Sequence, residues 1–121
     1  MSMDSIADIL TSICPEFEKQ LKPYLHGIRG PLVQAYLPQT WVFETERETV
    51  AISVNPLGKA SVSVDRPNTR DVTIRWKHYL LATVLRTRGK VDVPHDERPI
   101  VIFHSHKGGI GFGFLRKRFG I

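Results

Sequence analysis

One cysteine, Cys14, stands in a chain of 121 residues. An intramolecular disulfide is therefore excluded, and a lone thiol fits a reducing compartment. Nowhere do apolar residues run for the roughly 18 positions that a membrane-spanning helix needs. The opening Met1-Ser-Met-Asp-Ser carries an acid and no basic stretch, so no secretory signal is expected and the cytoplasm is the default location. The chain has no Gly-x-Ser-x-Gly elbow, no internal repeat and no low-complexity tract. Cys14 itself falls within an apolar helical stripe, a setting for a small buried hydrophobe more than for a reactive thiol.

What is present is ordinary in amount and uneven in place. An apolar fraction of 41% and a charged fraction of 24% suit a globular domain. At this length a single domain buries roughly two-thirds of its unfolded surface. The net charge is +5, and Lys107, Arg116, Lys117 and Arg118 crowd into the last fifteen residues. Such an end can meet nucleic acid, an anionic membrane surface or the negative end of a helix dipole, and a solvated tail is its plainest reading.

Four runs each put apolar side chains on every second residue: Trp41–Phe43, Val50–Val54, Ala60–Val64 and Val72–Trp76. That period suits strands with one buried face, and spacing of about ten residues describes an antiparallel meander. Asn55-Pro-Leu-Gly58 has the pattern of a type I turn, and Glu44, Glu46 and Glu48 around Arg47 read as a solvated hairpin tip. Tyr79–Leu85 repeats at helical spacing, with Gly89 placed to end it in the left-handed region. Val91–Pro99 reads as a charged loop, and Pro99–Ser105 as an interior strand, being apolar on both faces. Upstream, residues 5–22 carry a helical stripe of Ile6, Ile9, Leu10, Ile13, Phe17 and Leu21, capped by Asp4 or Ser5. Pro15 predicts a break near Cys14 and a second short helix. Pro23, Gly27 and Gly30-Pro31 punctuate a loop, and residues 32–37 read equally as a helical turn or an edge strand. Gly108, Gly109, Gly111 and Gly113 each cost a helix roughly 1 kcal/mol relative to Ala, so their segment is expected to be mobile or extended.

This order of elements resembles the sterol carrier protein 2 (SCP2) family. The resemblance rests on Thr49–Val54, Gly58–Val62 and the aspartate-headed Asp71–Ile74, followed by the Tyr79–Leu85 helix and Ile100–Ile102, and spans about Trp41 to Phe119. Two departures stand out: Arg75-Trp76-Lys77-His78 replaces the usual polar helix cap, and the C-terminal segment is glycine-rich. The resemblance implies one α+β domain over residues 1–121, with a helical segment (1–38) preceding the sheet, helix and glycine-rich lid (40–121). The implied sheet is five-stranded and mostly antiparallel, with helices on one face. It also implies non-catalytic binding of a lipid of fatty acyl, sterol or isoprenoid class in an apolar tunnel, with no cofactor.

Phe43, Ile52, Val62, Ile74, Leu81, Leu85, Ile102, Phe112 and Phe114 are the residues expected to border that tunnel. A fourteen-methylene tail leaving water would gain roughly 11 kcal/mol. Arg116, Lys117 and Arg118 are the expected contacts for an anionic membrane or an acidic head group. His104 and His106 share a strand face, the start of a metal site, but no spacing brings His78, His95 or Asp96 to them. Ser105 points away from both imidazoles, which argues against a nucleophile–base pair. Lys107–Phe114 superficially resembles the RNP1 stretch of RNA-recognition domains, yet too few residues follow to complete that fold. A basic, aromatic nucleic-acid-binding module is therefore the first alternative. An accessory subunit that docks another protein or forms a homodimer is the second.

Overall fold

The computed structural model describes residues 5–26, 35–64 and 67–121. The alternating runs become strands β1 (Gln39–Glu44), β2 (Thr49–Val54), β3 (Ala60–Ser63) and β4 (Val72–Arg75), and β5 (Ile100–Phe103) completes a sheet ordered β3-β2-β1-β4-β5. All neighbours are antiparallel except β1 and β4, which pair in parallel with Trp41 beside Val72 and Phe43 beside Ile74. The expected meander thus ends at β3, and the chain crosses to the far side of β1. Among the described residues three helices, α1 (Ile6–His26), α2 (His78–Thr87) and α3 (His106–Phe119), bury apolar stripes on the face that carries Trp41, Phe43, Val50, Ile52, Val54, Val72 and Ile74. The architecture is the expected one, α+β with a mostly antiparallel sheet and its helices on one face.

Contrary to expectation, α1 runs unbroken through Pro15 and Pro23. An interior proline costs a helix about 3 kcal/mol. Ile6, Leu10, Ile13 and Phe17 are fully buried on its stripe, and each contributes about 1.5–3 kcal/mol. Both prolines lie on the exposed side, so burial outweighs the lost bonds. Over the sheet, Glu18 accepts from the Ala60 N–H at 3.0 Å, tying α1 to the edge strand β3.

The hairpin between β1 and β2 caps two helices instead of waving in solvent. Glu48 accepts from the Ile6 N–H at 2.9 Å and the Ala7 N–H at 3.4 Å, while Ser5 accepts from the Asp8 N–H. Asp4, the other expected cap, lies outside the described residues. Glu46 accepts from the His78 N–H at 2.8 Å, which supplies what Lys77, with no side-chain cap bond, does not. α2 ends in the left-handed region on Arg88 at φ 55, and Gly89 follows at φ 80. Gly27, Gly30, Pro31 and residues 32–34 also lie outside the described residues; Ala35 and Tyr36 form a turn.

Two further expectations are corrected. β5 is an edge strand, not an interior one, with Ile100 and Phe103 exposed. Its apolar content misleads because only β4 pairs with it before the chain turns into α3. The glycine-rich segment is helical. Ser105 accepts from the Gly108 N–H at 3.2 Å as its cap. A Cβ at Gly108 would strike the Asp71 carbonyl, and one at Gly111 would strike the Gln39 amide and the Trp41 indole. The helix backbone therefore lies directly on the sheet, and close packing outweighs poor propensity.

Two outcomes follow. Gly109 has open space around its Cβ direction, so Gly109→Ala should raise stability by about 1 kcal/mol. Gly108→Ala should lower it, and urea midpoints that rank the two variants the other way would contradict this packing. The Glu46 carboxyl is held below its ordinary titration range, first by its own backbone N–H and next by that of His78. A depressed carboxylate adds stability above its unfolded range and loses it as pH falls through the folded one. Glu46→Gln should therefore be less stable than wild type at neutral pH, with the gap closing in acid. A gap independent of pH would show that the charge contributes nothing.

Candidate functional site

Five of the nine residues expected around a tunnel are instead one another's neighbours. Phe43, Ile52, Ile74, Leu81 and Leu85 are fully buried in a single core cluster, with Val62 and Phe112 packed at its margin. Ile102 is brought to the opposite face of the sheet, since it pairs with Thr73 while Val101 pairs with the core residue Ile74. Alternation along β5 allows no other arrangement. Phe114 alone of the nine lines the cavity described next.

That cavity, about 300 Å³, opens between the second half of α1, the residues leading into β1, and α3. Leu21, Leu37, Trp41, Ile110 and Phe114 make its apolar walls, and Gly111 and Gly113 form part of the α3 side. Behind it the aromatic rings interlock. Phe17 meets Trp41 edge-on at 5.8 Å and Phe119 at 4.5 Å, and Phe114 lies 6.1 Å from Trp41. The polar atoms in this wall are already engaged. The Trp41 indole N–H donates to Gln39 Oε1 at 2.7 Å, and Gln39 Nε2 donates to the Lys107 carbonyl at 2.6 Å. A buried amide and indole satisfied by each other leave an interior that rewards apolar atoms. Tyr36, Lys117 and Arg118 complete the lining.

A larger cleft of about 520 Å³ lies beside β4 and the 3-10 turn His95–Glu97. Four of its charges are turned to one another: Arg75 pairs with Glu44 at 3.4 Å and Lys77 with Glu97 at 3.7 Å. Glu46 there caps α2, and Trp76 donates to the Glu97 carbonyl at 2.6 Å. This cleft reads as a structural seam.

The remaining candidates have structural work. His104 shares a 2.9 Å hydrogen bond with Thr73, while His106 begins α3. Among the described residues no group of three metal-ligating side chains forms. Ser105 donates to Asp71 at 2.6 Å and caps α3. Burial, and then Glu18, push the Cys14 thiol up, away from the thiolate form. Phe112 and Phe114 sit in a helix and turn inward, Phe112 onto Phe103 at 5.8 Å, so the glycine–phenylalanine alternation builds no strand of exposed stacking platforms. Arg116, Lys117 and Arg118 occupy the last turn of α3, where cations suit the helix dipole. Successive helical residues diverge by about 100°, and the cavity takes in Lys117 and Arg118 but not Arg116.

Leu21, Leu37, Gln39, Trp41 and Ile110 were not among the residues expected at a site. The readable signal was the three-residue step from Gly108 to Gly111, which marks a helix face pressed on its support, the Asp71 backbone at the first and the Gln39 and Trp41 side chains at the second.

No protein-family model matches the chain, and no curated protein matches it in sequence. Among solved structures it is similar to a UbiJ-SCP2 ubiquinone synthesis protein, at 11% identity and a TM-score of 0.50, over 89% of this chain and 96% of that one. It is also similar to the sterol carrier protein domain 2 of Helicoverpa armigera, at 11% identity and a TM-score of 0.55, over 93% of this chain and 90% of that one. Helix, three-stranded meander, crossover to a parallel strand, and a C-terminal helix laid on the sheet together make the SCP2-like fold, and that is the fold of this chain.

Proposed function

We propose that this protein binds and carries an apolar ligand, without catalysis, in the cavity between α1, β1 and α3. The observation that carries the reading is a cavity walled by Leu21, Leu37, Trp41, Ile110 and Phe114 whose adjoining amide and indole groups are bonded to each other. The two structural neighbours are named for sterol carriage and ubiquinone synthesis, which agrees with a ligand of lipid class. A volume of about 300 Å³ holds on the order of ten groups the size of a water molecule, at ~30 Å³ each. That accommodates an acyl or isoprenoid segment of about ten carbons.

Such a segment gains roughly 8 kcal/mol on leaving water, at about 0.8 kcal/mol per CH₂. Association costs at least about 4 kcal/mol. The remainder corresponds to roughly millimolar binding for the tail alone. Weak, fast exchange is what carriage requires, and His104 and Ser105, the groups most suggestive of chemistry, are engaged in holding the fold.

Gly113 lines the cavity and has open space where a side chain would start. Gly113→Leu should therefore fill the cavity while leaving the fold intact, and even strengthen α3 by roughly 1 kcal/mol. Uptake of a neutral apolar fluorophore, followed by its emission, should fall at least about tenfold in this variant, with a urea midpoint at or above that of wild type. Undiminished uptake by a folded Gly113→Leu protein would place the ligand elsewhere or nowhere.

A further inference from the structure

We propose that the open edge of β5 pairs with the same edge of a second copy of this chain, antiparallel about a twofold axis at Ile102. The two sheets then form one continuous sheet. β5 has the make-up of an interior strand, apolar on both faces, yet among the described residues no strand lies beyond it. Ile100 is left 58% exposed, Phe103 53% and Ile102 36%. The opposite edge of the sheet is guarded: β3 turns Ser61 and Ser63 to solvent, and Glu18 takes the Ala60 N–H. Polar side chains and a covering element are how an edge avoids further pairing, whereas an open apolar edge is a template for another strand.

The register follows from which backbone groups face outward. His104 donates its N–H to the Asp71 carbonyl, and Ile102 and Ile100 pair with Thr73 and Arg75. Ladder groups alternate along a strand, so Val101 and Phe103 turn their N–H and C=O groups to the open side. Pro99, with no N–H, ends that row. Setting Ile102 opposite itself places Val101 of each copy opposite Phe103 of the other. Each such pair exchanges two hydrogen bonds, so every outward N–H of β5 is satisfied. The side chains agree. Phe103, already edge-on to Phe112 at 5.8 Å, meets Val101 of the other copy on the helix-covered face, and the two Ile102 side chains meet on the opposite face. Asp96 and Glu97, with Arg98, precede the strand, and His104, His106 and Lys107 follow it. Antiparallel pairing therefore sets the carboxylates toward the histidines and the lysine. A strand that supplies both halves of one ladder singles out a second copy over an unrelated peptide. Its apolar strip is small against the roughly 800 Å² per partner of a standard interface, so the dimer is a micromolar one. No β5 residue lines the cavity, so this pairing stands apart from the carrier reading.

The test is sedimentation of the full chain over a range from about 1 to about 500 μM, wide enough for a weak interface. Monomer should give way to dimer as concentration rises, with no larger species, because the pairing uses up the edge. Ile102→Lys and Ile102→Glu should each raise the dimer dissociation constant at least about tenfold, since like charges then face one another across the axis. Their urea midpoints should stay near that of wild type, because Ile102 lies on the face that no helix covers. An equimolar mixture of the two variants should dimerise again, as opposite charges now meet. Ser61→Lys, on the other edge, should dimerise like wild type. A wild-type chain that stays monomeric throughout would overturn the proposal. So would a dimer unmoved by either Ile102 substitution, a mixture no better than its components, or a dimer lost in Ser61→Lys.

Discussion

The carboxylate of Asp71 is the point on which the sheet and its C-terminal helix are hung. Only 4% exposed, it accepts from the Thr40 N–H at 2.8 Å and the Ser105 hydroxyl at 2.6 Å, with the Lys107 ammonium 3.9 Å away. Its backbone continues the work: the N–H donates to the Thr40 carbonyl, and the carbonyl takes the His104 N–H. A buried carboxylate is tolerated only when hydrogen-bonded and paired in this way. One residue thus joins β1 to β4, turns the chain out of β5, and orients the serine that starts α3. Because Gly108 then rests on the Asp71 carbonyl, the position of α3 on the sheet follows from that contact. The shape of the cavity follows in turn.

The cavity is what remains where this pinned helix diverges from its support. α3 touches the sheet closely at Gly108 and Gly111, then meets the core again through Leu115 and Phe119, both fully buried. Between them the helix presents Ile110, Gly113 and Phe114 toward the second half of α1 and the entry to β1. Gly113, which is exposed, brings no side chain to this stretch, and the Trp41 indole is tied to Gln39. Rigid walls made of interlocked rings keep such a space from collapsing.

Local periodicity made the sheet, its register face and the stripes of α1 and α2 legible, since alternation and helical spacing directly encode which side is buried. Terms that act across the chain were not legible. Glu46 and Glu48 looked like a solvated tip because nothing near them in sequence shows that two helix N-termini arrive there, 32 and 42 residues away. Pro15 looked like a break because the penalty is local, whereas the burial of Ile13 and Phe17 that offsets it is tertiary. β5 looked interior from its composition, and only the strand order shows it at the edge. The same limit explains why five of the residues expected around a tunnel lie together in the core cluster. Apolar residues on strands and helices announce burial, but whether they fill one another's space or leave some depends on volumes that no pattern states.

The glycines of α3 show how such conflicts between local and tertiary preference can carry meaning. Judged by propensity, four glycines within six residues argue against a helix. Judged by contacts, they divide. Gly108 and Gly111 are required where the helix meets the sheet, Gly113 lines the cavity, and nothing in the structure explains Gly109. The residues that weaken α3 as an isolated helix are therefore largely those that let it form one wall of a cavity. A helix of low intrinsic stability is thus held at its first turn by Ser105 and Asp71 and at its last by Leu115 and Phe119, so tertiary contacts and not propensity set where it lies.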